Sequence, residues 1–432
     1  MHNRTIKNAA WIIGCRIIQS GLALAVTMLS ARYLGPSGFG LINYAASLVA
    51  FFVPIMQLGL NSTLVQEIIY DPEHEGETLG TALAMSFISS IACVIGVGVV
   101  AAFLNKGETT TILVCVLYSV LLVFQSLEMV QYWFQAKLLS KYTAVTILVA
   151  YIIVSAYRIM LLVTGSSIYW YAISQAIDFA IIAIVLLIFY IKLSGNKLKL
   201  SIKKAASMLG RSKHYILSSL MITVFAQTDR IMLKLMMDEA AVGYYSTAVS
   251  CATLTSFVFV AIIDSARPSI LEGKQKSDDA FRQGMKTLYA VIILLALLQS
   301  AVIAVLAKPI IWILYGAKYG ASVDALRIIV WFSTFSYLGA VRDIWILAEK
   351  KQKYLWMINL SGATANVILN AILIPIYGVN GAAAASLITQ IFTNVIMGWI
   401  LRPIRPSNRL MFQSLNLKFI FSQVKNLKSG KP

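Results

Sequence analysis

Four arginines, Arg16, Arg158, Arg230 and Arg342, stand inside long apolar stretches of this sequence. Acids stand among them: Asp178, Asp229 and Asp343, with Glu128 and Asp264 nearer the ends of such stretches. A guanidinium withdrawn from water is well shaped to hold a phosphate or carboxylate through paired, charge-assisted hydrogen bonds. Placing an arginine at the centre of an apolar helix costs about 2.5–3.5 kcal/mol on insertion scales, so such groups should face a hydrated cavity or pair with acids. Local alternatives stay open. Arg16 lies about two turns from the end of its stretch and can snorkel to the headgroups. Arg230 can pair with Asp229 or Asp178, and Arg342 with Asp343 or Glu349.

Periodicity groups these residues with other polar ones. Ser219, Thr223, Gln227, Arg230 and Lys234 recur at steps of three and four and so share one helical face. Arg16, Ser20, Thr27 and Ser30 form a similar stripe, with Gln19 beside it. Asn359, Asn366 and Asn370 share a face with Gly362. Two polar stripes facing each other would line a hydrated cavity, and asparagines can instead bond neighbouring helices together. The candidate substrate-binding set is Arg16, Gln19, Ser20, Arg158, Gln227, Arg230, Arg342, Asn359 and Asn366. Asp178 and Asp229, at membrane depth, are the candidates for coupling to protons or sodium.

The elements that position this chemistry follow from composition. Of 432 residues, 59% are hydrophobic and only 12% charged, where soluble domains sit nearer a quarter charged. So little polar surface cannot cover a water-facing globule, and lipid must be the solvent. Apolar stretches of helical span length occur near 9–31, 39–61, 79–103, 111–132, 144–163 and 170–193. After a basic interruption come 214–236, 244–264, 287–307, 326–348, 354–376 and 379–401. The fold expected is all-α, with about twelve transmembrane helices in two six-helix bundles around a central cavity. The bundles are residues 1–200 and 201–432, the second ending in a short basic tail. The first apolar run is of full span length and lacks a small-residue cleavage site, so it reads as a helix rather than a signal peptide.

Charge sets the orientation. With the amino terminus in the cytoplasm, 26 of the 36 basic residues fall on the inner side and about five outside. That asymmetry places both termini inside, and it makes membrane topology, not nucleic acid, the reason for the 36 bases against 18 acids. Segment 62–78 dissents, because it should be cytoplasmic yet carries Glu67, Asp71, Glu73, Glu75 and Glu77 without one lysine or arginine. Seven of the eight tryptophans (Trp11, Trp133, Trp170, Trp331, Trp345, Trp356 and Trp399) fall near span ends, where amphipathic rings favour the interface. The four cysteines lie in apolar spans and read as small buried hydrophobes. His2, His74 and His214 have no ligand spacing, and neither a metal nor another cofactor is expected.

The two halves echo each other. Gly40-Leu-Ile-Asn-Tyr-Ala-Ala-Ser opens the second span and Gly243-Tyr-Tyr-Ser-Thr-Ala-Val-Ser the eighth, both of the form Gly-x4-Ala-x-Ser. Duplicated halves of this kind place substrate between two bundles.

Several segments, in order along the chain, resemble signatures of polysaccharide flippases. These are Arg32-Tyr-Leu-Gly-Pro-Ser-Gly-Phe-Gly40, Gln227-Thr-Asp-Arg-Ile-Met-Leu233 with Gly243-Tyr-Tyr-Ser-Thr-Ala248, and Arg267-Pro-Ser-Ile270. Leu314-Tyr-Gly-Ala-Lys-Tyr319 and Tyr377-Gly-Val-Asn-Gly-Ala-Ala383 complete the set. The sequence is similar to the Wzx-type branch of the multidrug/oligosaccharidyl-lipid/polysaccharide (MOP) superfamily. The resemblance implies a multi-pass protein of the bacterial inner membrane that moves undecaprenyl-pyrophosphate-linked oligosaccharide repeat units to the outer leaflet. It implies a role in O-antigen or related lipopolysaccharide and surface-polysaccharide supply, beside a polysaccharide polymerase and a chain-length regulator as partners. The rival from the same superfamily is a cation-coupled multidrug exporter, whose cavity would call for carboxylates. A membrane polymerase or glycosyltransferase would need catalytic acids or bases in sizeable outer loops, and every outer loop expected here is short.

Overall fold

The computed structural model describes residues 2–194 and 196–415, apart from the side chains of residues 2–13, 16, 17, 62 and 194. All regular structure among them is helical. Among the described residues, eight helices are long and apolar enough to cross a membrane. A ninth span arises if Glu239–Ala252 and Ser256–Lys276, bent by 45° at their junction, are one crossing.

Two of the eight are composite. The helix His2–Ala50 breaks at Gly35, whose φ of 68° and ψ of 177° lie outside helical space. Leu355–Ile391 breaks in the same way at Gly378, with φ 56° and ψ −130°. A side chain is disfavoured at such positive φ, so glycine allows two spans to meet there without a loop. Each break falls where the sequence expects one span to end and another to begin. The helix Ser322–Ala348, which holds Asp324, Arg327, Arg342 and Asp343, is not among the eight.

The chain forms two compact units, Met1–Gly243 and Tyr244–Pro432. The helix Ile202–Met236 packs on the first unit's helices His2–Ala50 and Glu75–Leu104. The first unit has an apolar core around Leu64, Leu79, Phe134, Leu186 and Tyr190. The second is centred on Phe281, Met285, Tyr289, Ile292, Val341 and Ile346.

Two tryptophans depart from the interfacial expectation. Trp133 is 3% exposed and makes edge contacts with Phe134 and Tyr190. Trp345 is equally buried in the second core. Their positions near span ends reflect packing, whereas Trp170 and Trp356 are exposed. All four cysteines are buried free thiols.

The two ends of the first unit differ in chemistry. At one end the acidic segment meets the basic linker between the halves. Glu75 accepts from Asn196 at 2.7 Å and pairs with Lys137 at 2.6 Å. Asp71 pairs with Lys204 at 3.1 Å, and Glu67 lies 3.6 Å from Arg211. The linker backbone runs against the first turns of Glu75–Leu104, where the Lys199 amide donates to the Gly76 carbonyl and the Ser201 amide to Thr81 Oγ1. Gly76 and Gly80 permit that approach, since a Cβ at either would sit 2.5 Å from a linker carbonyl oxygen. Of the acids that dissented from the topology, Asp71 and Glu67 are thus counter-charges of the linker and Glu75 of Lys137. Hydrogen bonds from His74 and Lys204 hold the Asp71 carboxyl below the usual carboxylate range, whereas burial pushes that of Glu67 up.

Candidate substrate site

At the opposite end of this unit, the Gly35–Gly40 turn packs against the corner that precedes Gly243. A Cβ on Gly40 would overlap the Glu239 carbonyl oxygen, and one on Gly243 would overlap the carbonyl of Pro36. Lys234, 7% exposed, closes this end. Its ammonium lies 2.7 Å from Glu108 Oε2 and 2.8 Å from Glu239 Oε1. The hydrogen bond from Lys234 holds the Glu108 carboxyl below its ordinary range. In the predicted stripe Lys234 is therefore an ion-paired tie between loops, with its charge already engaged.

Between the two ends, the structure joins Gln227 and Arg230. Arg230 Nη1 donates to Gln227 Oε1 at 3.0 Å, and Ser47 Oγ donates to the same oxygen at 3.0 Å. Both oxygen lone pairs of the amide are thereby used, and its position is fixed from two helices. Arg230 remains half-buried. Ser47 was not singled out as a site residue, although it is the last residue of the Gly-x4-Ala-x-Ser echo. Asp229, one residue along, turns into the protein and is 5% exposed.

Arg158 is held elsewhere in the same unit. Its Nε donates to Ser174 Oγ at 2.9 Å and its Nη2 to Gln175 Oε1 at 2.8 Å, tying Ser140–Val163 to the next helix, Ile168–Ser194. Asp178, one turn further along that helix, is 7% exposed, lies in the field of Arg158, and its Oδ1 has no hydrogen-bond partner among the described residues. Gln19 lines a separate cavity of about 260 Å³ with Gln131, Gln135, Ser140 and Thr143. Ser20, its neighbour, is exposed. The Arg16 side chain lies outside the described residues.

In the second unit Arg342 is 5% exposed. Its Nη1 donates to the Thr393 carbonyl at 2.8 Å, and its Nη2 lies 3.2 Å from Asp343 Oδ1. Thr393 belongs to a π-helical turn, Phe392–Ile396, a geometry that frees carbonyls from the regular helical ladder. Beside it Asn394 donates to Gln390, and both residues are buried. Periodicity gave no warning of this group, because a π turn shifts the helical register. Asn366 accepts from Asn370 at 3.0 Å with both buried, and Asn359 is half-buried. Both guanidinium Nη atoms of Arg342 and Oδ1 of Asn366 therefore bond neighbouring protein groups, whereas Arg342 Nε has no hydrogen-bond partner among the described residues.

Within the units, then, the described candidates divide in two. Gln227 and Arg230 form one polar group and Gln19 opens on a cavity, whereas Arg158, Arg342 and Asn366 serve as ties between or along helices. Among the described residues no cluster of three or more His, Cys, Asp or Glu could hold a metal.

Solved structures share this fold. A multidrug resistance MATE family transporter of the MOP superfamily, in an inward-facing conformation, aligns with a TM-score of 0.67 at 14% identity, over 91% of this chain and 95% of that chain. The lipid II flippase MurJ in an inward closed conformation aligns with a TM-score of 0.67 at 16% identity, over 96% of this chain and 92% of that chain. A MOP superfamily transporter from Pyrococcus furiosus gives 0.62 at 11% identity, over 94% and 96% of the two chains. No curated protein matches the sequence. The architecture is that of the MOP transporters, a multi-pass membrane fold. Residues 5–274, more than half of the chain, match the polysaccharide biosynthesis protein family, and the chain belongs to that family.

Proposed function

We propose that this protein is a flippase for undecaprenyl-pyrophosphate-linked oligosaccharide repeat units, moving them from the cytoplasmic to the outer leaflet of a bacterial inner membrane. The observation that carries the reading is the conjunction of a polysaccharide-biosynthesis family with a MOP transporter fold. A lipid-linked glycan made inside and used outside must cross the bilayer, and its pyrophosphate cannot enter hydrocarbon unaided. Arg230, held by Gln227 near the end of the helix Ile202–Met236, suits that charge, and Arg16 is proposed to act with it.

Orientation follows from the ends of the first unit. The linker, Lys137 and the acidic segment meet at one end, which carries the denser positive charge, and this end is assigned to the cytoplasm. Both termini are placed inside, with twelve spans in two halves of six that rock in alternating access. Asp178 and Asp229 are proposed to couple the cycle to protons or sodium. Transport into vesicles that persists after both gradients are collapsed would refute that coupling.

The test of the main reading is surface polysaccharide in a deletion strain complemented with variants. Arg16→Ala combined with Arg230→Ala should abolish it, single lysine replacements should leave part of it, and full activity of the double variant would overturn the assignment. The multidrug-exporter reading draws on the same fold. It requires drug resistance from the wild-type chain, lost on replacing Asp178 or Asp229.

A further inference from the structure

The cavity that Gln19 opens on belongs wholly to the first unit, and its lining says what it can hold. Gln19 comes from the first helix, Gln131 and Gln135 from the short helix Gln131–Ala136, and Ser140 and Thr143 from the start of Ser140–Val163. Three amides and two hydroxyls thus converge, beside Cys15, Ala144 and Ile147, on about 260 Å³ in a chain that is 59% hydrophobic. Ligand pockets are usually apolar with few polar groups and span roughly 300–1,000 Å³, so this one is small and more polar than most. Thr143 Oγ1 is itself covered and has no hydrogen-bond partner among the described residues.

The lining also excludes ligands. Among the described side chains the lining holds no acid, lysine, arginine or histidine, so these groups suit a neutral polar molecule better than a drug cation or a phosphate. An acyl chain would cover five polar side chains without offering them hydrogen bonds, which is unfavourable. What remains is a neutral molecule dense in groups that both donate and accept. Glutamine presents two donors and an acceptor, and serine and threonine present one donor with acceptor lone pairs, which matches the hydroxyls of a sugar ring.

We propose that the Gln19–Gln131–Gln135 cavity binds one neutral pyranose ring of the lipid-linked glycan and so selects cargo by its sugar. This rests on the flippase reading and adds to it a glycan site distinct from the Gln227–Arg230 group. Its amide lining, uncharged among the described residues, favours neutral hexoses or N-acetylhexosamines over uronic acids.

The test is lipid binding by the full chain in nanodiscs. Three probes are compared: undecaprenyl pyrophosphate, the same lipid carrying one N-acetylglucosamine, and the neutral alcohol undecaprenol. The sugar-bearing lipid should bind roughly tenfold more tightly than the bare pyrophosphate, the expected gain from two or so net hydrogen bonds. Gln131→Leu with Gln135→Leu should erase that increment while leaving affinity for the bare pyrophosphate lipid within about twofold, which also reports that the variant is folded. Thr143→Val, a milder change, should erase part of it. A wild type with no sugar increment, or a double glutamine variant that keeps it, overturns the cavity assignment alone. Equal binding of all three lipids overturns the flippase reading and the cavity assignment together.

Discussion

Gly40 packs directly on the main-chain carbonyl of Glu239, and the relation is reciprocated four residues out of step, with Gly243 on the carbonyl of Pro36. Each glycine opens one copy of the Gly-x4-Ala-x-Ser echo, and each contacts the residue four before the other glycine. The echo is therefore a contact in the fold as well as a likeness in sequence.

Gly40→Ala and Gly243→Ala should each destabilise the protein, because the added methyl meets backbone on the far side and neither helix can yield locally. Overpacking of this kind costs about 1–3 kcal/mol. Gly21→Ala, where nothing lies within 4 Å of the new Cβ, is the control. Thermal unfolding of the detergent-solubilised chain measures both. A melting temperature unchanged by Gly40→Ala would mean that the two turns do not pack as described.

Lys137→Met should be more damaging than Glu75→Gln. Glu75 is 3% exposed and Lys137 about a third exposed, so removing the lysine leaves a buried carboxylate without its cation, a loss of about 3 kcal/mol. The amide in Glu75→Gln can still accept from Asn196, and the lysine freed by that change can turn to water. The order of the two melting temperatures decides the matter.

Acid should loosen the end closed by Lys234. The Glu108 carboxyl is held below its ordinary value by the Lys234 hydrogen bond. A depressed carboxyl contributes stability above its unfolded value, near pH 4.5, and loses that contribution as pH falls through the folded value. Asp71, depressed by His74 and Lys204, has the same sign. Melting temperature should fall below about pH 4.5, with a shallower slope in Glu108→Gln. An identical slope in that variant would remove Glu108 from the explanation.

Arg342→Met and Arg230→Ala should fail in different ways. Arg342 is buried and bonded to Thr393 and Asp343, so its loss strands a buried carbonyl and should lower the amount of folded protein. The proposed role of Arg230 predicts near-normal abundance with surface polysaccharide lost. Immunoblots of membranes beside polysaccharide staining separate the two, and normal abundance of Arg342→Met would argue against a structural role.

Much of this protein follows from residue type and spacing alone. The apolar stretches force helices in lipid, because a backbone in hydrocarbon must satisfy its own hydrogen bonds. The turns at Gly35 and Gly378 fall where the hydropathy pattern breaks, and Gln227 and Arg230, three apart, had to share a face. Only the tertiary structure could decide what those polar groups touch. Glu67, Asp71 and Glu75 look anomalous until Arg211, Lys204 and Lys137 are brought beside them, from as many as 144 residues away in the case of Glu67 and Arg211. Arg158 and Arg342 look alike in an apolar stretch to Arg230, yet Ser174, Gln175 and Thr393 claim them. The glutamine cavity was invisible because its walls come from three helices whose register against one another no periodicity encodes. Periodicity is local, set by backbone geometry within one helix. Pairing between helices depends on the packing of whole surfaces, which no single stretch of sequence contains.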